Sequence, residues 1–90
     1  MLTDPVVVVE VLSPSNSASE MSEKQRQYFD CPSVEHFLLV DPINRNFQHT
    51  VRGPAPDKYL TTLLRGGTLT FDPPGVPLDL DAVLAAIDAA

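Results

Sequence analysis

The most apolar run in the chain lies near its start: residues 6–9 are all valine, Val11 and Leu12 follow, and a single carboxylate, Glu10, sits among them. The run is β-branched, too short for a helix of ordinary length, and stopped by Ser13-Pro14-Ser15, so it predicts a buried strand over 6–12. Alternation places Val6, Val8, Glu10 and Leu12 on one face. The pattern then changes period. Ser15 or Ser17 can cap a helix over 18–29, with Glu20 and Glu23 in its first turns and Pro32 beyond its end. Glu20, Lys24 and Tyr28, spaced four apart, fall on one stripe of that helix.

"EHFLLVDP" predicts a second apolar strand ended by Asp41-Pro42; "INRN" is a turn cluster, and "FQHTVR" beyond it completes a hairpin. Residues 57–65, Gly66-Gly67 and residues 68–71 read as another hairpin. "PLDLDAVLAAIDAA" predicts a short C-terminal helix capped by Asp79 or Asp81, with Val83, Leu84 and Ile87 on its apolar side. The order strand, helix, four strands, helix is that of an α/β or α+β unit, and the fold expected is α/β with a mixed β-sheet. A central strand needs neighbours on both sides and little sequence precedes this one. The expectation is therefore a single domain over 1–90 that forms the C-terminal portion of a larger fold.

Ninety residues at 43% hydrophobic content allow one small core. The lone Cys31 forms no intrachain disulfide, and no signal peptide or apolar run of spanning length is present, so a cytoplasmic setting and no membrane partner are expected. Six basic against twelve acidic residues give a net charge of −6, which argues against a surface built to wrap phosphate backbone. It leaves room for a carboxylate-rich, metal-dependent site.

Glu10 is the residue that most needs explaining, because an unpaired buried charge costs several kcal/mol. A helix that follows a strand through a short loop folds back over the sheet, so Lys24, Glu20 and Tyr28 can approach the carboxylate face. A strand carboxylate beside a lysine is a device for metal-assisted phosphodiester hydrolysis: the carboxylate holds Mg²⁺, and the lysine orients the attacking water and offsets developing charge. The plain alternative is a structural ion pair, or a Glu10 that faces solvent. Spacing does not decide between them.

"DPVVVVEVLSPSN" followed by "EKQRQYFDCPSVEHFLLVDP" resembles the Uma-two family of restriction endonucleases, an offshoot of the PD-(D/E)XK nuclease superfamily. The likeness covers most of the chain and implies a partial restriction-endonuclease-like core that cleaves DNA with Mg²⁺, or Mn²⁺ in its place. It implies Glu10 as the metal ligand and Lys24 as the lysine of the motif, displaced from the strand position that Leu12 holds here. Glu20, where an aspartate is usual, and Tyr28 would support that lysine. Asn16 stands for the usual threonine, and His36-Phe37 for Glu-Tyr. The superfamily's first metal ligand, an Asp on an earlier strand, has no match; Asp4 sits at the strand entrance and is not that ligand. The 90-residue chain alone is accordingly expected to bind Mg²⁺ weakly and to cleave slowly or not at all. The rival reading is an inactive remnant that serves as a dimerisation or interaction module. Either way an open strand edge predicts a homo-oligomer.

Other residues carry less. His36 and His49 show no metal-ligand spacing with each other or with Cys31. Ser13 and Ser15 belong to a turn and cap, and Gly66-Gly67 to a turn. Arg45, Arg52 and Arg65 are scattered and read as solvated surface.

Overall fold

The computed structural model describes residues 4–90. Strand β1 (Val7–Val11) leads through a short loop to helix α1 (Ala18–Phe29), followed by β2 (His36–Asp41), β3 (Asn46–Arg52) and β4 (Tyr59–Leu64). These four strands form one sheet in the order β1-β2-β3-β4, parallel between β1 and β2 and antiparallel elsewhere. The α/β class with a mixed sheet is as the pattern predicts. A parallel pair needs a crossover, and α1 supplies it.

Helix α1 starts where Ser17 caps it: the Ser17 hydroxyl accepts from the Glu20 amide at 3.2 Å and donates to Glu20 Oε1 at 3.2 Å. Asp30 follows its last residue as the C-cap, and Arg52 of β3 closes that end. Its guanidinium donates to the carbonyls of Phe29, Cys31 and Val34 at 2.9–3.0 Å and lies 5.2 Å from the Phe29 ring centre. A cation is favourable at a helix C-terminus, where carbonyls lack helical partners. Arg52 is thus a tether between helix and sheet, which corrects the solvated-surface expectation.

The second predicted hairpin forms differently. β4 pairs with β3, and the chain then leaves the sheet through Arg65-Gly66-Gly67, with Gly67 at φ +82°. Strand β5 (Thr68–Phe71) pairs instead with β6 (Val76–Asp79), a strand the pattern had merged into the C-terminal helix. Asp72-Pro73-Pro74-Gly75 makes the turn, and the Gly75 amide donates to the Phe71 carbonyl at 2.6 Å. Pro77 sits in β6 at no cost to the main sheet, because the two-stranded ribbon has free edges. Helix α2 (Leu80–Ala89) begins at Asp79, whose carboxylate accepts from the Ala82 amide at 3.1 Å.

The sheet has a packed cluster on each side. On one face Leu38, Val40 and Phe47 meet Phe71, Leu80 and Leu84 of the ribbon and α2. On the other, Phe29 of α1 and Val34 pack on Phe37, with Val8 and Tyr28 beside them. Glu10 pairs in register with Leu39 and shares the α1 face with Val8, Phe37 and Leu39.

Candidate active site on the helix face

Because α1 runs back along β1, residues one helical turn apart meet successive positions of the strand. Tyr28 and Lys24 therefore both reach Glu10. The Tyr28 hydroxyl donates to Glu10 Oε1 at 2.7 Å, and Lys24 Nζ lies 3.8 Å from Glu10 Oε2. The Glu10 side chain is 21% exposed and the Lys24 side chain 45%. Tyr28 is itself braced by the Phe37 ring, with centroids 6.0 Å apart. The hydrogen bond to Glu10, with partial burial and the carboxylate's charge behind it, raises the Tyr28 pKa above its usual value, so this phenol stays a donor throughout the neutral range.

Glu20 is placed elsewhere. It lies on the same helical stripe but is exposed and engaged with Ser17 at the helix start, one turn before Lys24. The cluster proper is Glu10, Lys24 and Tyr28.

Magnitudes bear on why the carboxylate is there. A half-exposed ion pair at 3.8 Å contributes less than about 1 kcal/mol. A hydrogen bond to a charged group contributes about 1.5–3 kcal/mol. Together these offset the burial of Glu10 but leave little net gain over a valine at the same place. Stability alone is a weak reason for the residue.

Glu10 offers hard oxygen atoms of the kind Mg²⁺ takes, and Tyr28 and Lys24 leave lone pairs on both oxygens uncommitted. Among the described residues no group of three His, Cys, Asp or Glu side chains converges. Glu10 fits the ion as one ligand of a set whose other members must come from substrate phosphate or from outside those residues.

Beyond Glu10, between α1 and the sheet, lies a cavity of about 270 Å³ with Leu12, Met21, Phe37 and Leu39 among its walls. Ser22, Gln25 and Gln48 also line it. Sequence reasoning did not find these three, because no motif marks them and only the fold brings β3 under α1.

On the opposite face the two histidines, separated by thirteen residues, are in contact. His36 Nδ1 and His49 Nε2 are 2.9 Å apart, and His36 Nε2 lies 2.6 Å from the Pro73 carbonyl. A carbonyl only accepts, so His36 Nε2 carries hydrogen; with His36 neutral its Nδ1 must accept from His49. Phe71 stands edge-on to both rings. The pair locks the ribbon turn to the sheet and lies on the face away from Glu10.

A four-stranded mixed sheet with a helix crossing after the first strand is thus the frame that brings a carboxylate, a lysine and a tyrosine together. The fold is similar to that of a solved protein described as "a putative nuclease belonging to DUF820" from Anabaena variabilis, with a TM-score of 0.73 at 14% identity. That match covers 96% of this chain and 47% of the other, so the chain spans about half the length of its structural neighbour. The family model Uma2, described as "Putative restriction endonuclease", matches residues 1–86, and the chain belongs to that family. No curated protein matches it. Among the described residues no helix is long and apolar enough to cross a membrane.

Proposed function

We propose that this chain contributes the lysine-bearing half of a Mg²⁺-dependent DNA endonuclease site. The observation that carries the reading is Glu10: a strand carboxylate, mostly covered, held by one phenol and faced by one partly exposed ammonium, at little net gain in stability. Membership of the Uma2 family supports it. Glu10 would ligate the ion, with Mn²⁺ as a substitute, and the ion when bound supplies Lewis-acid activation of water and phosphate. Lys24 draws the scissile phosphate towards the carboxylate and offsets the charge that grows on its oxygens. Tyr28 fixes the Glu10 rotamer. Glu20 positions Lys24 indirectly, by holding the helix start. With an overall charge of −6, affinity for DNA rests on the local site and its cations rather than on a basic surface.

The test is nicking of supercoiled plasmid in Mg²⁺ or Mn²⁺ by the 90-residue chain and by an N-terminally extended protein that supplies a second carboxylate. The extended form should cleave faster, and Glu10→Gln and Lys24→Ala should each reduce its cleavage roughly 100-fold, the scale of losing one electrostatic contact to the transition state. Cleavage that survives both substitutions, or an inactive extended protein, overturns the assignment.

The second reading, an inactive module that assembles with other copies, has one observation in its favour: β1 is an edge of the sheet among the described residues, with Val9 51% and Val11 60% exposed. Homo-oligomerisation through that edge is compatible with either reading.

A further inference from the structure

The register Glu10↔Leu39 and Leu39↔Gln48 forms a row across three strands on the face under α1. With strands about 4.8 Å apart, Gln48 stands about two strand spacings from the carboxylate. The 270 Å³ cavity is lined by Leu39 and Gln48 of this row and by Leu12, Asn16 and Ala18 near the start of the helix, next to Glu10 rather than in contact with it. Its floor is apolar, formed by Met21, Phe37 and Leu39, and its polar side chains are Ser22, Gln25, Gln48 and Asn16, whose Oδ1 already accepts from the Ser13 amide and hydroxyl. Among the described residues no charged side chain lines it. Neither glutamine amide makes a hydrogen bond to another described residue, so each still offers both a donor and an acceptor.

We propose that this cavity receives one unpaired nucleobase from the strand whose phosphate lies at Glu10 and Lys24; the placement of that phosphate rests on the nuclease reading above. Three features select this occupant. A phosphate is excluded by the absence of any cation in the lining, whereas a heterocycle wants an apolar floor with a few neutral donor and acceptor groups. Size points the same way, since 270 Å³ lies just under the range of about 300–1,000 Å³ that holds a whole drug-sized ligand. Finally, the cavity is a recess between helix and sheet, which a base edge stacked in duplex cannot enter but a single-stranded or extruded base can. Glutamine amides read such a base by paired hydrogen bonds. The consequence is an enzyme that acts on unpaired or locally opened DNA and prefers certain bases beside the cleaved bond.

Binding in EDTA separates this from the metal and from cleavage. Fluorescein-labelled single-stranded oligodeoxynucleotides and fully abasic oligomers of the same length and charge are titrated by anisotropy, with the chain and with the double variant Gln25→Ala/Gln48→Ala. Base-containing oligomers should bind about tenfold more tightly than abasic ones, the scale of one well-paired base contact. In the double variant that difference should vanish while affinity for the abasic oligomer stays unchanged, which also shows that the variant is folded. In NMR spectra the Gln25 and Gln48 side-chain amides should shift with single-stranded DNA and not with a blunt duplex of the same sequence. Equal binding of base-containing and abasic oligomers, no binding of either, a preference that survives the double substitution, or the same amide shifts with duplex would each overturn the proposal. Failure of the nuclease reading shows separately, as plasmid nicking indifferent to Glu10→Gln.

Discussion

At the scale of single residues, the carboxylate, phenol and ammonium around Glu10 act as one unit, and Tyr28 is its hinge. Tyr28→Phe removes the 2.7 Å hydrogen bond and keeps the ring on Phe37. Thermal or urea unfolding should register a loss of about 1 kcal/mol, the typical worth of one hydrogen bond, reduced from the charged value by partial exposure. A larger fall in cleavage than in stability would mark Tyr28 as a positioning residue. This cluster was legible in the sequence because its members lie on two elements adjacent along the chain, at spacings that a strand and a helix translate directly into faces. Arg52 was not legible. A lone arginine at a strand end carries no signal of the carbonyls it meets at Phe29, Cys31 and Val34, which come from an earlier part of the chain. Arg52→Lys keeps the charge but not the planar fork. It should destabilise by about 2 kcal/mol, with the loss of amide protection concentrated in the last turn of α1.

Elements bring a different set of dependences. Local punctuation fixed α1 well: Ser17 caps it and Phe29 ends it, as a helix over 18–29 with a Ser15 or Ser17 cap requires. Pairing beyond the next turn was harder. Residues 68–71 alternate as a strand should, but nothing in those four residues says whether β4 or β6 is their partner. The choice is made by Leu69 and Phe71 turning onto the core beside Leu80 and Leu84. The ribbon is held to the sheet by the histidine pair, and this makes its docking sensitive to acid. Burial first, and the charge of His36 second, lower the His49 pKa below its usual 6.5. The folded chain then binds fewer protons than the unfolded one, so stability is complete above about pH 6.5 and declines as pH falls through the folded value. Asp41, lowered by hydrogen bonds from Asn44 and Ile43, adds a separate loss at more acid pH. Urea midpoints should therefore be lower at about pH 5 than at about pH 7.5, and His49→Gln should shrink that difference. An unchanged difference would mean that the pair does not govern it. At the other end of the ribbon, Asp79→Ala should cost about 1 kcal/mol through the lost cap of α2, readable as a lower melting temperature.

For the whole molecule, β1 is the edge of the sheet among the described residues and carries two exposed valines, from which we predict self-association in solution. Light scattering at high micromolar concentration should report a dimer or larger species, and Val9→Lys should shift it towards monomer. A monodisperse monomer in the parent protein would refute this. The fold class and the order of most elements could be read from the chain, since hydrophobic period survives without knowledge of tertiary contacts. The cavity could not, because Gln25 and Gln48 come to line one space only through the packing of α1 on the sheet and the pairing of β3 with β2.

The sheet also works as a partition. Phe29, Val34 and Phe37 pack on the side that bears Glu10, while Phe71, Leu80 and Leu84 pack on the other. The side chains of the proposed site and those that anchor the C-terminal elements thus seldom share a neighbour, and substitutions more than about 7–10 Å apart combine nearly additively. Variation around Gln25 and Gln48 can reshape the lining of the cavity while the ribbon and α2 keep the domain folded, and gains in packing on the other face need not disturb the cavity. A lineage built on this plan can diversify on one side and conserve the other.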